Sequence, residues 1–183
     1  MTNLLLMHFA CLFINFNSDS AVKNPINIER TVTSDTSAII KKIRLDFSTI
    51  NSRLRSYKKK STDVFDMSAE GGEVTGYYDK ALLVKLHSVF YGETGKVEID
   101  YYFNKEGLFF QYKKETFYDK PIYVKGFKIK NIEENRFYFY KNELIRWLVN
   151  KTVSPKSKTF KEVNDAINKE VREMKGVLAR KRT

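Results

Sequence analysis

The residues of this sequence that could do acid–base chemistry are a few carboxylates in predicted strands. Glu98 and Asp100 are two apart in an alternating stretch, so both side chains face the same side of a strand. Two carboxylates on one face could act as a general acid and a general base. Within a sheet, however, such residues more often pair with lysines across strands, and Lys85 and Lys113 are the expected partners. We therefore expect a structural role here, and the same for the adjacent pair Glu133–Glu134.

Two further features could suggest chemistry, a histidine and a glycine-rich turn. His87 is the one histidine beyond the N-terminal stretch, and a lone histidine without cysteines cannot supply the usual ligands of a zinc site. The segment Gly92–Lys96, GETGK, has the glycines and the lysine of a phosphate-binding loop. A strand rather than a helix is expected after it, so it predicts a turn. The sequence thus predicts no catalytic residue, no metal site and no cofactor.

The element around which these residues are arranged is a repeated β-hairpin. Three stretches each contain aromatic residues, then a short turn, then an apolar run: Tyr77–Leu86, Tyr101–Tyr112 and Phe137–Leu148. Aromatic residues favour the half-buried surface of a pleated sheet, and the chain has 14 Phe and 11 Tyr. We expect an antiparallel meander of five to seven strands over residues 64–149, with its first short strand at Val64–Met67.

The third hairpin is apolar on both faces. Strict alternation places four residues on one face (Phe137, Phe139, Leu144 and Leu148) and three on the other (Ile145, Trp147 and Val149). A strand pair with two apolar faces is expected to be covered on both sides.

Two amphipathic helices are predicted to flank the sheet. The first spans about residues 35–59, with its stripe at Ile39, Ile43, Phe47, Ile50, Leu54 and Tyr57. The run Lys58–Lys60 is expected to end it, where cations suit the negative end of the helix dipole. The second spans about residues 159–180, with its stripe at Phe160, Val163, Ile167, Val171, Met174 and Leu178.

The N-terminal stretch is a separate unit. Residues 1–17 are apolar, contain no Lys or Arg, and are too few for a spanning helix, but they fit the apolar region of a signal peptide. Ser18 and Ser20 would then precede a cut before Ala21. A buried N-terminal element is the alternative. Cys11, the only cysteine, follows Ala10 and leaves lipid anchoring open as a further possibility.

The net charge of +11 is concentrated on two flanks of the chain. Residues 35–60 hold eight basic and two acidic side chains, and residues 151–183 hold ten and four. The remaining chain is nearly neutral. We expect the flanks to contact anionic surfaces such as lipid headgroups, through Lys58, Lys59, Lys60, Arg180, Lys181 and Arg182. The simpler alternative is that these cations only solvate helix ends.

Three segments suggest a family: GYYD (76–79), EIDYYFNKEGLFFQYKKE (98–115) and ENRFYFYKNELIRWL (134–148). They resemble a group of uncharacterised bacterial exported or lipoprotein-like proteins, over roughly residues 71–149. The resemblance implies an exported protein with an aromatic meander and no known activity. It transfers no functional residues.

Together these patterns predict an α+β fold, with residues 1–20 as a signal peptide and residues 21–183 as one domain. The expected function is a non-catalytic secreted or cell-envelope module, located in the periplasm or outside the cell, that binds a protein or an envelope ligand. The alternative is a cytoplasmic, nucleic-acid-associated basic protein. In that case the aromatic residues would stack on bases and the flanks would hold phosphates. An enzyme of another kind is the third possibility.

Overall fold

The computed structural model describes residues 29–65, 67–154 and 159–180, so the predicted signal peptide lies outside the described residues. It contains two long helices, α1 (Glu29–Ser52) and α2 (Thr159–Ala179), and a short 3₁₀ helix at Leu54–Ser56. The strands are β1 (Lys58–Val64), β2 (Gly72–Asp79), β3 (Leu82–Gly92), β4 (Gly95–Asn104), β5 (Gly107–Tyr118), β6 (Ile129–Tyr140), β7 (Glu143–Val149) and β8 (Thr152–Val153).

All eight strands form one antiparallel sheet in which each strand pairs with its neighbours in the chain. The predicted α+β meander with an N-terminal and a C-terminal helix is confirmed, but the sheet has more strands than the predicted five to seven. It also begins earlier and ends later than residues 64–149. The sequence KKKSTDV of β1 has no apolar alternation, and the two residues of β8 are too few to carry a pattern.

Three hairpins of the meander share one geometry, as the repeated sequence pattern predicted. Each has a two-residue turn that starts with lysine: Lys80–Ala81, Lys105–Glu106 and Lys141–Asn142. In each, the third residue of the returning strand has no partner across the pair, so that Val84, Phe109 and Ile145 form β-bulges.

The bulges change which face each side chain occupies. Beyond Ile145 the alternation in β7 shifts by one residue, so Trp147 packs on the same face as Phe137, whereas Leu148 packs on the opposite face. The predicted grouping of Leu148 with Phe137 is therefore wrong, because it assumed uninterrupted alternation. The expectation that both faces of this hairpin are covered is confirmed.

Helix α2 covers one face of the sheet, which we call the α2 face. It begins and ends within one residue of the predicted bounds, and its residues pack against β1, β2 and β7, near both edges of the sheet. Gly76 lets the end of the helix approach β2, because a Cβ atom there would lie 2.8 Å from Leu178 Cδ1. This face contains the larger apolar cluster of the protein.

Helix α1 covers part of the opposite face, the α1 face, where it packs against β5 and β6. Ile40, Ile43 and Ile50 are buried there. The helix begins at Glu29 and ends at Ser52, rather than spanning about residues 35–59 as predicted, and Lys58–Lys60 belong to β1. Side chains near the end bond to backbone carbonyl groups, as Asn51 Nδ2 does to Phe47 O at 3.0 Å, which competes with continuation of the helix. The predicted apolar stripe extended beyond the observed helix because Leu54 and Tyr57 keep helical spacing by coincidence.

Candidate functional site

The polar side chains of the α1 face form a row across six strands, beside the part of the sheet that α1 covers. Strand pairing places its members directly opposite one another in the order Ser61, Thr75, His87, Asp100, Tyr112 and Arg136. We call this set the polar row. It contains two clusters of charged groups, one at its centre and one where it meets α1.

The central cluster is organised by Asp100. Its Oδ1 lies 2.8 Å from His87 Nδ1, and its Oδ2 lies 3.0 Å from Lys85 Nζ. The predicted pairing of Asp100 with Lys85 is confirmed. The predicted pairing with Lys113 is not seen for either carboxylate: Glu98 Oε2 instead contacts Lys96 Nζ at 3.1 Å. Lys113 is opposite Ile99 and therefore faces the α2 side of the sheet.

Two hydrogen-bonding partners account for the electrostatics of Asp100. Burial would raise its pKa, but the hydrogen bonds and positive charges of His87 and Lys85 outweigh burial and lower the pKa. Both carboxylate oxygens of Asp100 thus contact side chains of β3, which supports a structural role for Asp100. The bond between Asp100 and His87 could not be predicted from local spacing, because the two residues lie 13 positions apart and meet only through strand register.

The cluster beside α1 is built on Glu134. The Tyr112 hydroxyl group donates to Glu134 Oε1 at 2.8 Å, and Arg136 Nη2 donates to Glu134 Oε2 at 2.8 Å. The Arg136 guanidinium group also lies over the Tyr112 ring, 5.1 Å from its centre. Burial and the bond to Glu134 raise the pKa of Tyr112 to about 12. Glu133 faces the other side of the sheet, where its Oε1 accepts from Asn135 Nδ2, so the two adjacent glutamates do not form one site.

Next to this cluster, α1 and the sheet border an open pocket of about 210 Å³. Its lining is aromatic and aliphatic except for two arginines: Ile43, Arg44, Phe47, Phe110, Tyr112, Arg136 and Tyr138. We call it the arginine pocket. Phe47 packs edge-on against Phe110, with ring centres 5.3 Å apart, and Tyr138 lies 5.0 Å from Phe110 on the other side.

The second terminal nitrogen of Arg136, Nη1, is buried and has no hydrogen-bond partner among the described residues. Leaving a buried donor unsatisfied costs about 1–3 kcal/mol, and more for a charged group. A guanidinium fork suits the two oxygens of a carboxylate or a phosphate. Arg44, which is exposed, adds a second positive charge at the same pocket and makes no ion pair within the described part of the chain. An anionic group in this pocket would therefore lie beside two cations, one of which has an unsatisfied nitrogen.

Neither arginine was a predicted site residue. Arg44 lies beside the predicted helix stripe, and Arg136 lies in the aromatic strand of the third hairpin. One usable signal was a charged residue within an otherwise aromatic strand, two positions after Glu134.

The four predicted anionic-surface residues that the structure describes, Lys58, Lys59, Lys60 and Arg180, lie at one corner of the molecule. Lys58, Lys59 and Lys60 are exposed on β1, and Lys60 Nζ donates to the carbonyl oxygen of Leu178, two residues before Arg180. The two basic flanks therefore meet in space. The lysines do not end α1 as predicted; Lys60 instead lies at the negative end of the α2 dipole. Lys181 and Arg182 lie outside the described residues.

Other candidate chemistry is limited to what the described residues contain. Residues 92–96 connect β3 to β4, strand to strand, as the turn prediction required. In the described ranges, no group of three or more His, Cys, Asp or Glu side chains is arranged to hold a metal ion. Neither described helix is long and apolar enough to cross a membrane. Comparisons of the chain with protein-family models, with curated proteins and with solved structures find no match.

Proposed function

We propose that this protein is a non-catalytic secreted or cell-envelope binding module whose ligand is a small apolar molecule with an anionic group. The observation that supports it is that Arg136, whose Nη1 is buried and unpartnered among the described residues, lines the arginine pocket. The carboxylate or phosphate of the ligand would accept from the Arg136 guanidinium group, and its apolar part would contact Phe47 and Phe110.

The size of the pocket limits the ligand. Pockets for drug-sized ligands usually measure about 300–1,000 Å³. The arginine pocket, at about 210 Å³, would hold a small carboxylate or one end of a longer one. Glu134 fixes the Arg136 fork before binding, so little side-chain freedom is lost when a ligand arrives.

The alternative, a nucleic-acid-associated protein, fits the positions of the aromatic residues less well. A stacking platform needs accessible rings. The rings of the second hairpin, such as Tyr102, Phe103 and Phe110, are instead buried beneath the two helices. The corner formed by β1 and the end of α2 is the one feature that favours this alternative, and tight binding of an oligonucleotide there would support it.

Export is part of the proposal and has its own test. Residues 1–20 carry the signal-peptide pattern, and the resemblance to exported bacterial proteins points the same way. The mass of the chain isolated from its native host should lack these residues. A full-length chain in the cytoplasm would contradict export.

Ligand binding can be tested by calorimetry with two carboxylate–alcohol pairs, octanoate with octanol and benzoate with benzyl alcohol. We expect saturable binding of at least one carboxylate and much weaker binding of its alcohol. Arg136→Gln should weaken carboxylate binding by about tenfold or more, because a hydrogen bond to a charged group is lost. Arg55→Gln, an exposed arginine in the 3₁₀ helix, is the matched control and should change nothing.

Three outcomes would contradict ligand binding in the arginine pocket. They are no saturable binding of either carboxylate, equal affinity for the alcohols, and equal losses of carboxylate affinity in the two arginine variants. Far-ultraviolet circular dichroism and thermal unfolding of each variant would check that the fold is retained.

A further inference from the structure

Large apolar side chains are exposed mainly at one end of the sheet. This end contains the β1–β2 connection, the β3–β4 turn and the β5–β6 loop, residues 119–128, and we call it the loop end. Its most exposed residues include Phe65, Tyr123 and Ile129, which are 81%, 72% and 59% exposed. Tyr91, Ile122 and Phe127 are also exposed there.

The β5–β6 loop is held in a defined shape although its side chains are exposed. Its backbone bonds to the β3–β4 turn, with Ile122 N donating to Glu93 O at 2.8 Å. Asp119 N donates to Lys128 O at 3.0 Å, and Lys128 N donates to Asp119 Oδ1 at 2.8 Å, which closes the base of the loop. The rings of Tyr118 and Phe127 pack 4.9 Å apart. The apolar side chains are thus presented outward by an ordered backbone.

Lysines alternate with the apolar residues of this loop and the start of β6. The sequence from residue 120 to 130 is KPIYVKGFKIK, with Lys120, Lys125, Lys128 and Lys130 and no acidic residue. The last three of these lysines are exposed. Asp119, just before this stretch, is engaged at the base of the loop.

We propose that the β5–β6 loop docks the protein onto the surface of an anionic lipid bilayer. The exposed apolar side chains would enter the interfacial layer, where tyrosine is favoured. The lysines would contact anionic headgroups, each strengthening partitioning by about fivefold. This inference does not rest on the arginine pocket, which lies on the α1 face rather than at the loop end.

The charges argue against a second copy of the chain as the occupant. A symmetric dimer through this loop would place its lysines against those of the partner, and like charges across an interface are unfavourable. Lysine is also depleted in protein–protein interfaces, whereas aromatic residues and lysine together are typical of membrane-surface contacts.

The inference can be tested by co-sedimentation of the full chain with vesicles of phosphatidylglycerol and phosphatidylcholine in about equal amounts. Vesicles of phosphatidylcholine alone are the control for charge. Binding should be clear with the anionic vesicles, weak with the neutral ones, and reduced by salt. The double variant Tyr123→Ser, Phe127→Ser should bind the anionic vesicles at least about tenfold more weakly, since it removes two exposed rings from the lipid contact.

Two triple variants separate this loop from the basic corner of β1. Lys125, Lys128 and Lys130 changed to Gln should reduce binding by about a hundredfold, from fivefold per cation. Lys58, Lys59 and Lys60 changed to Gln remove the same charge at the other end of the sheet and should leave binding within a few-fold. In addition, Tyr123→Trp should shift its fluorescence to the blue on binding.

Four results would overturn the inference. They are no binding to anionic vesicles, equal losses in the two triple variants, a larger loss in the β1 variant, and concentration-dependent dimerisation that Tyr123→Ser abolishes. Equal losses would mean that net charge alone drives binding. Dimerisation would identify a second copy as the occupant of the loop.

Discussion

The two faces of the sheet are covered by helices of similar length but differ in what the helices leave exposed. Among the described residues, sixteen buried side chains form the cluster on the α2 face, and ten form the one on the α1 face. Helix α2 reaches strands near both edges of the sheet, whereas α1 packs on β5 and β6. The smaller coverage by α1 leaves the polar row and the arginine pocket. One face therefore mainly supplies stability, and the other leaves part of its polar surface uncovered.

The α2 face also contains polar groups, but they are enclosed. Tyr101 is fully buried, and Gln111 Nε2 lies 3.4 Å from Glu170 Oε2 on α2. Burial and the negative charge of Glu170 raise the pKa of Tyr101 well above its usual range, so its hydroxyl group stays neutral. Both faces thus contain polar groups, and the faces differ in how accessible those groups are.

The largest expected effect is on the α2 face. Met174 is 1% exposed, and Met174→Ala should lower the free energy of unfolding by about 3–5 kcal/mol, because it leaves a cavity between helix and sheet. Ile39→Ala on α1, at a half-buried position, should cost less than about 2 kcal/mol. Urea unfolding of both variants measures the difference. Equal losses would contradict the unequal roles of the two faces.

The next effect is expected in the polar row. Asp100→Asn removes the partner of the buried Lys85 ammonium group and should cost on the order of 3 kcal/mol. Glu98→Gln, in the same strand, breaks the more exposed pair with Lys96 and should cost less than about 1 kcal/mol.

The pH dependence of the Asp100 effect follows from its lowered pKa. The stabilisation is present above the ordinary value of 3.8 and is lost as pH falls through the folded-state pKa. Wild type and Asp100→Asn should therefore converge in stability in acid. A difference that stays constant from neutral pH into strong acid would show that the ion pair is not its source.

The smallest expected effect has the opposite sign. Burial raises the pKa of Glu170 above its ordinary value of 4.5, so folding is favoured when this group is protonated. That stability is complete below the unfolded pKa and is lost as pH rises towards the folded pKa. Glu170→Gln should thus slightly stabilise the protein at neutral pH and change little in acid. A thermal-unfolding series across pH measures it, and a loss of stability at neutral pH would contradict the enclosed character of this group.

Much of the fold could be predicted from local patterns. The stripe from Phe160 to Leu178 specifies α2, and the three aromatic–lysine–leucine repeats specify the hairpins. Predictions from periodicity were wrong where a bulge interrupted the pattern and where the pattern continued by chance beyond the end of a helix. The bulge at Ile145 moved Leu148 to the other face, and the spacing of Leu54 and Tyr57 extended the predicted α1 beyond Ser52.

The candidate site was largely beyond prediction from the sequence, for a different reason. His87 meets Asp100 through the register of β3 and β4, and Arg44 meets Arg136 only after α1 has docked on the sheet. These are contacts between residues distant in the chain, and no local spacing encodes them. The Asp100–Lys85 pair could be predicted because strand neighbours of opposite charge are common.

The lysine run of β1 has a consequence for the behaviour of the protein at high concentration. Within the described residues the sheet is open, and β1 and β8 each pair with one neighbour. A free strand edge can template fibre growth by adding strands from other molecules. Lys58, Lys59 and Lys60 occupy that edge of β1, so a second copy that adds its own β1 in parallel register would bring its lysines alongside them. This repulsion opposes the addition of further strands at the β1 edge.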